Sequence, residues 1–104
     1  MTGQNLELLS ELQSWYAERC DGQWEHSYGI SISTLDNPGW ALKIDISGTY
    51  LFEREFETVD VRGTDENDWY SCKVSPNAFE AFCGPNRLSD IVSIFLEWAG
   101  KQKF

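Results

Sequence analysis

The chain has 104 residues, of which 41% are hydrophobic and 14% aromatic, and its 17 acidic against 8 basic residues give a formal net charge of −9. This apolar content can form one hydrophobic core, which excludes a disordered chain and predicts a single domain over residues 1–104. The negative charge repels phosphate groups and anionic lipid headgroups. Nucleic acid and membranes are therefore disfavoured as partners, and a basic protein surface is favoured.

The first predicted element is an amphipathic helix over residues 5–20. Its apolar residues recur at helical spacing, while charged residues occupy the remainder of the helical wheel. The apolar set is Leu8, Leu9, Leu12, Trp15 and Tyr16. Gly22 is the expected stop, because glycine is common just after the end of a helix.

A hairpin is predicted after this helix. Apolar and polar residues alternate over residues 28–34 and again over residues 40–46, which predicts two half-buried strands. Residues 35–39 between them are rich in turn-forming types, so we expect the two strands to pair in the antiparallel sense.

Two further strands are predicted in the middle of the chain. Residues 49–62 contain β-type side chains, with a bulge or break between Phe56 and Val59, where the apolar residues change parity. Residues 69–74 form the next predicted strand. Four successive strands joined by short turns indicate an antiparallel meander.

The end of the chain is predicted to be helical. Phe79 and Phe82 indicate a single helical turn, and Ser89 is the expected N-cap of a last helix that ends before Gly100. The predicted fold is therefore α+β with two layers. An N-terminal helix and a C-terminal helix cover one face of a four-stranded antiparallel meander sheet.

Acidic residues are concentrated in the third predicted strand and the turn after it. Glu53, Glu55 and Glu57 are two residues apart, so in a strand their carboxylates point to one side, which cannot face the core. This pattern is typical of a solvated face or a protected edge strand, and equally of an anionic surface that docks on a basic partner. The predicted partner-binding residues are Glu53, Glu55, Glu57, Asp60, Asp68, Trp69 and Trp24. The tryptophans are included because the pattern leaves Trp24 and one of the pair Trp69 and Tyr70 hard to bury, although a second small core under a loop explains them equally well.

The polar cluster best suited to chemistry is the segment 20–26, which contains Cys20, Asp21, Glu25 and His26, the only histidine of the chain. A Cys/His pair can supply a nucleophile and a base, but residues six apart in a loop have no fixed geometry and match no protease motif. We therefore predict no catalytic residues and expect this segment to cap or order a loop. A small hydrolase-like enzyme using Asp21, Glu25 and His26 is the alternative.

Metal, cofactor and redox sites are not predicted either. Cys20, His26, Cys72 and Cys83 lack the closely spaced pairs of a structural zinc site, and three cysteines without CxxC spacing are typical of free thiols in a reducing compartment. No basic and apolar leader begins the chain, and no apolar run approaches the roughly 18 residues of a membrane span. We therefore expect a cytoplasmic protein.

Several segments resemble the immunity protein 53 family. They are LQSWY at 12–16, CDGQWEH at 20–26, YGI at 28–30, TLDNPGW at 34–40, NDW at 67–69 and FLEWA at 95–99. The resemblance covers nearly the whole chain and implies a bacterial immunity protein of a polymorphic toxin system, which binds its cognate toxin in the cytoplasm. It brings no catalytic or toxin-contact residues. An acidic protein-binding module without a toxin partner is the other alternative, and a toxin gene immediately upstream would distinguish the two.

Overall fold

The computed structural model of the protein describes the backbone of residues 2–100 and the side chains of residues 7–100. Within these residues the chain forms three helices and five strands. In chain order they are α1 (Thr2–Arg19), α2 (Trp24–Ser27), β1 (Ile30–Leu35), β2 (Gly39–Asp45), β3 (Val59–Arg62), β4 (Trp69–Ser75), β5 (Ala78–Cys83) and α3 (Leu88–Trp98). The strands make one antiparallel sheet in the order β1-β2-β5-β4-β3.

The predicted two-layer α+β architecture is confirmed. α1 buries Leu8, Leu12 and Trp15, which share one side of the helix as their spacing requires. α3 buries Ile91 and Phe95, and both helices pack on the same face of the sheet. The other face carries exposed polar side chains, because an antiparallel sheet can leave one face in water.

The predicted hairpin is confirmed, whereas the strand count and the meander order need correction. β1 and β2 pair from Ile30 opposite Ile44 to Leu35 opposite Gly39. β5 is a fifth strand, and it lies between β2 and β4 instead of forming a helical turn. The spacing of Phe79 and Phe82 suggested a helix, but in the strand Phe79 faces the core and Phe82 faces solvent.

The third predicted strand is shorter than expected. Of residues 49–62, only β3 is a strand; residues 47–53 form turns and residues 54–58 have no regular structure. Glu53 has a φ of 68°, in the left-handed region that a strand cannot contain. Leu51 is fully buried and Phe56 packs against the core. In a regular strand the side chains of these two residues would point to opposite faces of the sheet, so a loop is needed to bring both of them to the core.

Aromatic rings join the two layers. Trp15 and Phe95 meet edge to face with centroids 5.0 Å apart, and Phe95 meets Phe79 of the sheet at 5.2 Å. Phe56, from the loop before β3, contacts Trp98 at 5.3 Å. Each such pair adds about 1 kcal/mol beyond the burial of its area. The loop is therefore part of the core packing and has a defined position.

Candidate functional site

The predicted acidic residues lie on β3 or on the loops beside it. We call residues 53–68 the acidic edge, because β3 is an edge strand of the sheet. This segment has seven acidic and two basic residues, so it carries a charge of −5 out of the total of −9. Glu53, Glu55, Glu57 and Asp60 are all exposed. Glu53, Glu55 and Glu57 do not share one face of a strand, because residues 53–58 lie in a loop and only Asp60 is on β3.

The loop before β3 is held by the end of α3. The Tyr50 hydroxyl donates a hydrogen bond to the Ala99 carbonyl over 2.6 Å, and Arg54 donates from Nη1 to the Trp98 carbonyl over 3.1 Å. In return, Trp98 donates from Nε1 to the carbonyl of Glu55 over 2.9 Å. The loop and the end of α3 therefore donate hydrogen bonds to each other, and these bonds fix the position of the loop that carries the exposed carboxylates.

Most of the arginines near the acidic edge are engaged with aromatic rings. Arg54 lies 5.3 Å from the ring of Tyr50, and Arg62 lies 5.5 Å from the ring of Trp69. Arg62 also pairs with Asp60 over 3.2 Å. Cation–π contacts at partly exposed sites contribute about 0.5–1 kcal/mol. These contacts hold the guanidinium groups against the domain.

Asp68 is used inside the molecule. It accepts a hydrogen bond from Arg87 Nε over 2.6 Å, and Arg87 also donates to Asp90 over 3.2 Å. The hydrogen bond and charge of Arg87 lower the pKa of Asp68 below its usual value. The carboxylate therefore joins the turn after β3 to the start of α3, in addition to its predicted role in partner binding.

The two predicted tryptophans differ in accessibility. Trp69 is half-buried on the solvent-facing side of the sheet beside Arg62. Trp24 is only 6% exposed, donates from Nε1 to the Ser47 carbonyl over 2.9 Å and meets Trp15 edge to face. Of the two alternatives for Trp24, an exposed contact residue or part of the packing under a loop, the structure has the second, because α2 turns its ring into the core.

The segment after α1 orders a loop, as expected. Asp21 Oδ1 accepts the backbone N–H groups of Gln23 and Trp24, both over 2.9 Å, and Glu25 accepts those of Asp21 and Gly22 over 3.0 and 2.9 Å. The bonds from Trp24 and Gln23 lower the pKa of Asp21. The pKa of Glu25 is lowered by its own backbone N–H and then by the bonds from Asp21 and Gly22. Both carboxylates are thus poorly suited to act as proton donors near neutral pH.

The thiols do not converge. Cys20 is exposed and donates to the Tyr16 carbonyl over 3.4 Å, whereas Cys72 and Cys83 are buried. Burial raises the pKa of Cys72 to about 12 and also raises that of Cys83. Among the described residues, no group of three or more His, Cys, Asp or Glu is placed to bind a metal ion. No helix in that part of the chain is long and apolar enough to cross a bilayer.

An apolar groove that the sequence analysis missed lies at the opposite border of the sheet. It has a volume of about 340 Å³ and is lined by residues of α1, β1, β2 and α3, together with the β5–α3 loop. Leu9 and Ile32, which are 63% and 42% exposed, are the most accessible apolar residues of this lining. The sequence carries only a weak signal for this groove, because Leu9 stands beside the buried residues Leu8 and Leu12 and fits the same helical pattern.

The comparisons with known proteins identify the family. A family model described as immunity protein 53 matches residues 9–100. The chain belongs to the immunity protein 53 family. Membership of this family supports an immunity function and a non-enzymatic role. Comparisons with curated proteins and with solved structures give no significant match.

Proposed function

We propose that this protein binds a cognate toxin in the cytoplasm of the producing cell and neutralises it one to one, without catalysis. The observation that carries this proposal is the family match over residues 9–100. The two carboxylates that a hydrolase would need, on Asp21 and Glu25, accept backbone hydrogen bonds, which supports a structural role for them.

The acidic edge is the surface that we propose for toxin capture. Its charge of −5 favours a basic partner and speeds the diffusional encounter, especially at low salt. Glu55 and Glu57 extend from a loop whose backbone is held by α3, so little order has to be gained on binding. The half-buried ring of Trp69 adds an aromatic contact near Asp60 and Arg62.

Protection on co-expression tests the function. The toxin domain encoded by the gene next to that of this chain is produced in a sensitive bacterium with and without the protein, and the purified pair is analysed by light scattering. Rescue together with a one-to-one complex is the expected result. Neither rescue nor a complex, from a folded protein, would overturn the proposal.

The same assay with a substituted protein distinguishes stoichiometric inhibition from the enzyme alternative. His26 is exposed and lies in α2, directly after the loop that Asp21 and Glu25 order. His26→Ala should rescue as well as the unaltered protein, because a stoichiometric inhibitor needs no general base. Loss of rescue with an intact fold and an intact complex would instead favour catalysis.

A further inference from the structure

The two edges of the sheet differ in how they are protected. β3 is four residues long and carries Asp60 and Arg62, both of which discourage pairing with another strand. β1 is six residues long, with the sequence ISISTL, and has neither a charge nor a proline. Its residues 31–34 are all exposed. Natural proteins usually protect an edge strand of this kind, so the unprotected edge of β1 is a candidate surface for binding another chain.

The backbone of β1 has hydrogen-bonding groups directed away from the sheet. Asp45 N–H donates to the Gly29 carbonyl over 3.0 Å, which places this pair in the hydrogen-bonded register. Because such pairs alternate along an antiparallel ladder, the peptide groups of Ile30, Ile32 and Thr34 point outward. Within residues 2–100, no loop or side chain hydrogen-bonds to these three residues. They form a template for one more strand.

The apolar groove runs beside this template. Ile32 belongs to both: its peptide group points outward and its side chain lies on the helix-covered face, where it lines the groove with Leu9 and Trp40. No charged residue lines the groove. A strand added to β1 would place every second side chain on this same face, next to Leu9. The geometry therefore selects an extended segment with apolar residues at alternate positions.

The charges around β1 indicate what kind of chain carries that segment. Asp36 follows the strand directly and is exposed, and Asp45 lies opposite Gly29 at the other end, where its Oδ2 accepts the N–H of Gly29 over 2.9 Å. Lys43, opposite Ser31, is the one basic residue of this hairpin, so carboxylates outnumber cations beside β1 by two to one. A second copy of this protein would bring another charge of −9 and would be repelled. A segment flanked by lysine or arginine would be attracted at both ends.

We propose that β1 and the apolar groove receive an extended strand of the cognate toxin by β-strand addition, with apolar side chains in the groove and basic residues beside Asp36 and Asp45. This inference rests on the proposed function and adds a second contact surface to the acidic edge. The two surfaces lie at opposite borders of the sheet, and the β1 edge is the one that accepts a strand of the toxin.

Residue-resolved amide hydrogen exchange tests the strand directly. The protein is measured alone and in complex with the catalytically inactivated toxin domain. The outward amides of Ile32 and Thr34 should exchange at least about tenfold more slowly in the complex. Those of Ser31 and Ser33 already bond to β2 and should change much less, which makes them an internal control.

A pair of helix variants tests the groove. Leu9→Lys puts a charge at the groove and should weaken toxin binding by about tenfold or more. Ala17→Lys makes the same change in net charge at an exposed position about two turns further along α1, outside the lining of the groove, and should change binding by less than about threefold. Both positions are exposed, so both variants are expected to fold, and circular dichroism checks this.

The outcomes separate the two proposals. If the unaltered protein rescues and binds, but the amides of Ile32 and Thr34 stay unprotected and Leu9→Lys binds normally, the strand-addition proposal is overturned alone. If the unaltered protein neither binds nor rescues, both proposals fail. A dimer of the free protein that protects the same amides would assign the edge to a second copy and overturn the toxin as its occupant.

Discussion

The indole N–H of Trp98 donates a hydrogen bond of 2.9 Å to the backbone carbonyl of Glu55. This bond connects the last turn of α3 to the loop that carries the exposed carboxylates of the acidic edge. It makes the geometry of a surface loop depend on the packing of a helix. Perturbing the end of α3 should therefore alter the acidic edge without any change in its sequence.

Trp98→Phe tests this dependence. The variant keeps an aromatic ring against Phe56 but removes the donor to Glu55, so we expect a stability loss of about 1 kcal/mol and faster amide exchange in residues 54–57. Trp40→Phe is the matched control, because Trp40 donates a similar bond, of 3.0 Å, to the Pro85 carbonyl. Equal amide exchange rates for residues 54–57 in the two variants would contradict the conclusion that the bond from Trp98 to Glu55 holds this loop. Urea unfolding and hydrogen exchange provide the measurements.

Tyr50→Phe should destabilise the fold by about 1–3 kcal/mol. The Tyr50 hydroxyl accepts a hydrogen bond from Trp15 Nε1 over 3.2 Å and donates one to Ala99. Trp15 is fully buried, so the variant leaves its indole N–H without a partner. The midpoint of urea unfolding is the measurement. An unchanged midpoint would mean that these hydrogen bonds make no net contribution to the free energy of unfolding.

Reversal of two charges tests the acidic edge. Glu55→Lys with Glu57→Lys should slow toxin association and flatten its dependence on salt, because steering falls with the local charge. Glu7→Lys with Glu11→Lys changes the net charge by the same amount on α1 and is the control. Association rates are measured by stopped flow at several ionic strengths. The same slowing in both double variants would show that only the total charge matters.

The contact between Asp68 and Arg87 should make stability depend on pH. The pKa of Asp68 is lowered in the folded protein, so its contribution is present above the unfolded pKa of about 3.9 and is lost as the pH falls through the lower folded value. Asp68→Asn should thus be less stable than the unaltered protein at pH 7, and the difference should shrink below about pH 4. Urea unfolding across this range is the measurement. A difference that does not vary with pH would argue against the ion pair.

The three thiols should differ in reactivity. Cys20 is exposed, whereas burial raises the pKa of Cys72 to about 12 and also that of Cys83. Because the thiolate is the nucleophile, iodoacetamide should modify only Cys20 in the native protein and all three cysteines in urea. Mass spectrometry of peptides identifies the modified residues. Rapid native modification of Cys72 would show that the sheet opens more readily than its packing suggests.

Local periodicity was sufficient to predict that α1, the first hairpin and α3 exist. The prediction of Ser89 as the N-cap of α3 is wrong, because the helix begins at Leu88 with Arg87 at its N-cap. In α1, the buried residues Leu8, Leu12 and Trp15 are spaced by a helical period, and this holds whatever the helix packs against. The turn between β1 and β2 likewise depends on residues that lie within it. The same reasoning failed for β5, where two phenylalanines three residues apart face opposite sides of the sheet.

The negative charge, the amphipathic helices, the hairpin and, through the resemblance, the family can all be found in the amino-acid sequence alone. Three features required the packed structure: the place of β5 in the middle of the sheet, the loop at residues 49–58 that buries Leu51 and Phe56, and the burial of Trp24. These features depend on contacts between residues far apart in the chain. The same contacts decide which strands lie at the edges of the sheet. Strand order depends on pairing between distant parts of the chain, so the hydrophobic periodicity of a single segment does not reveal it.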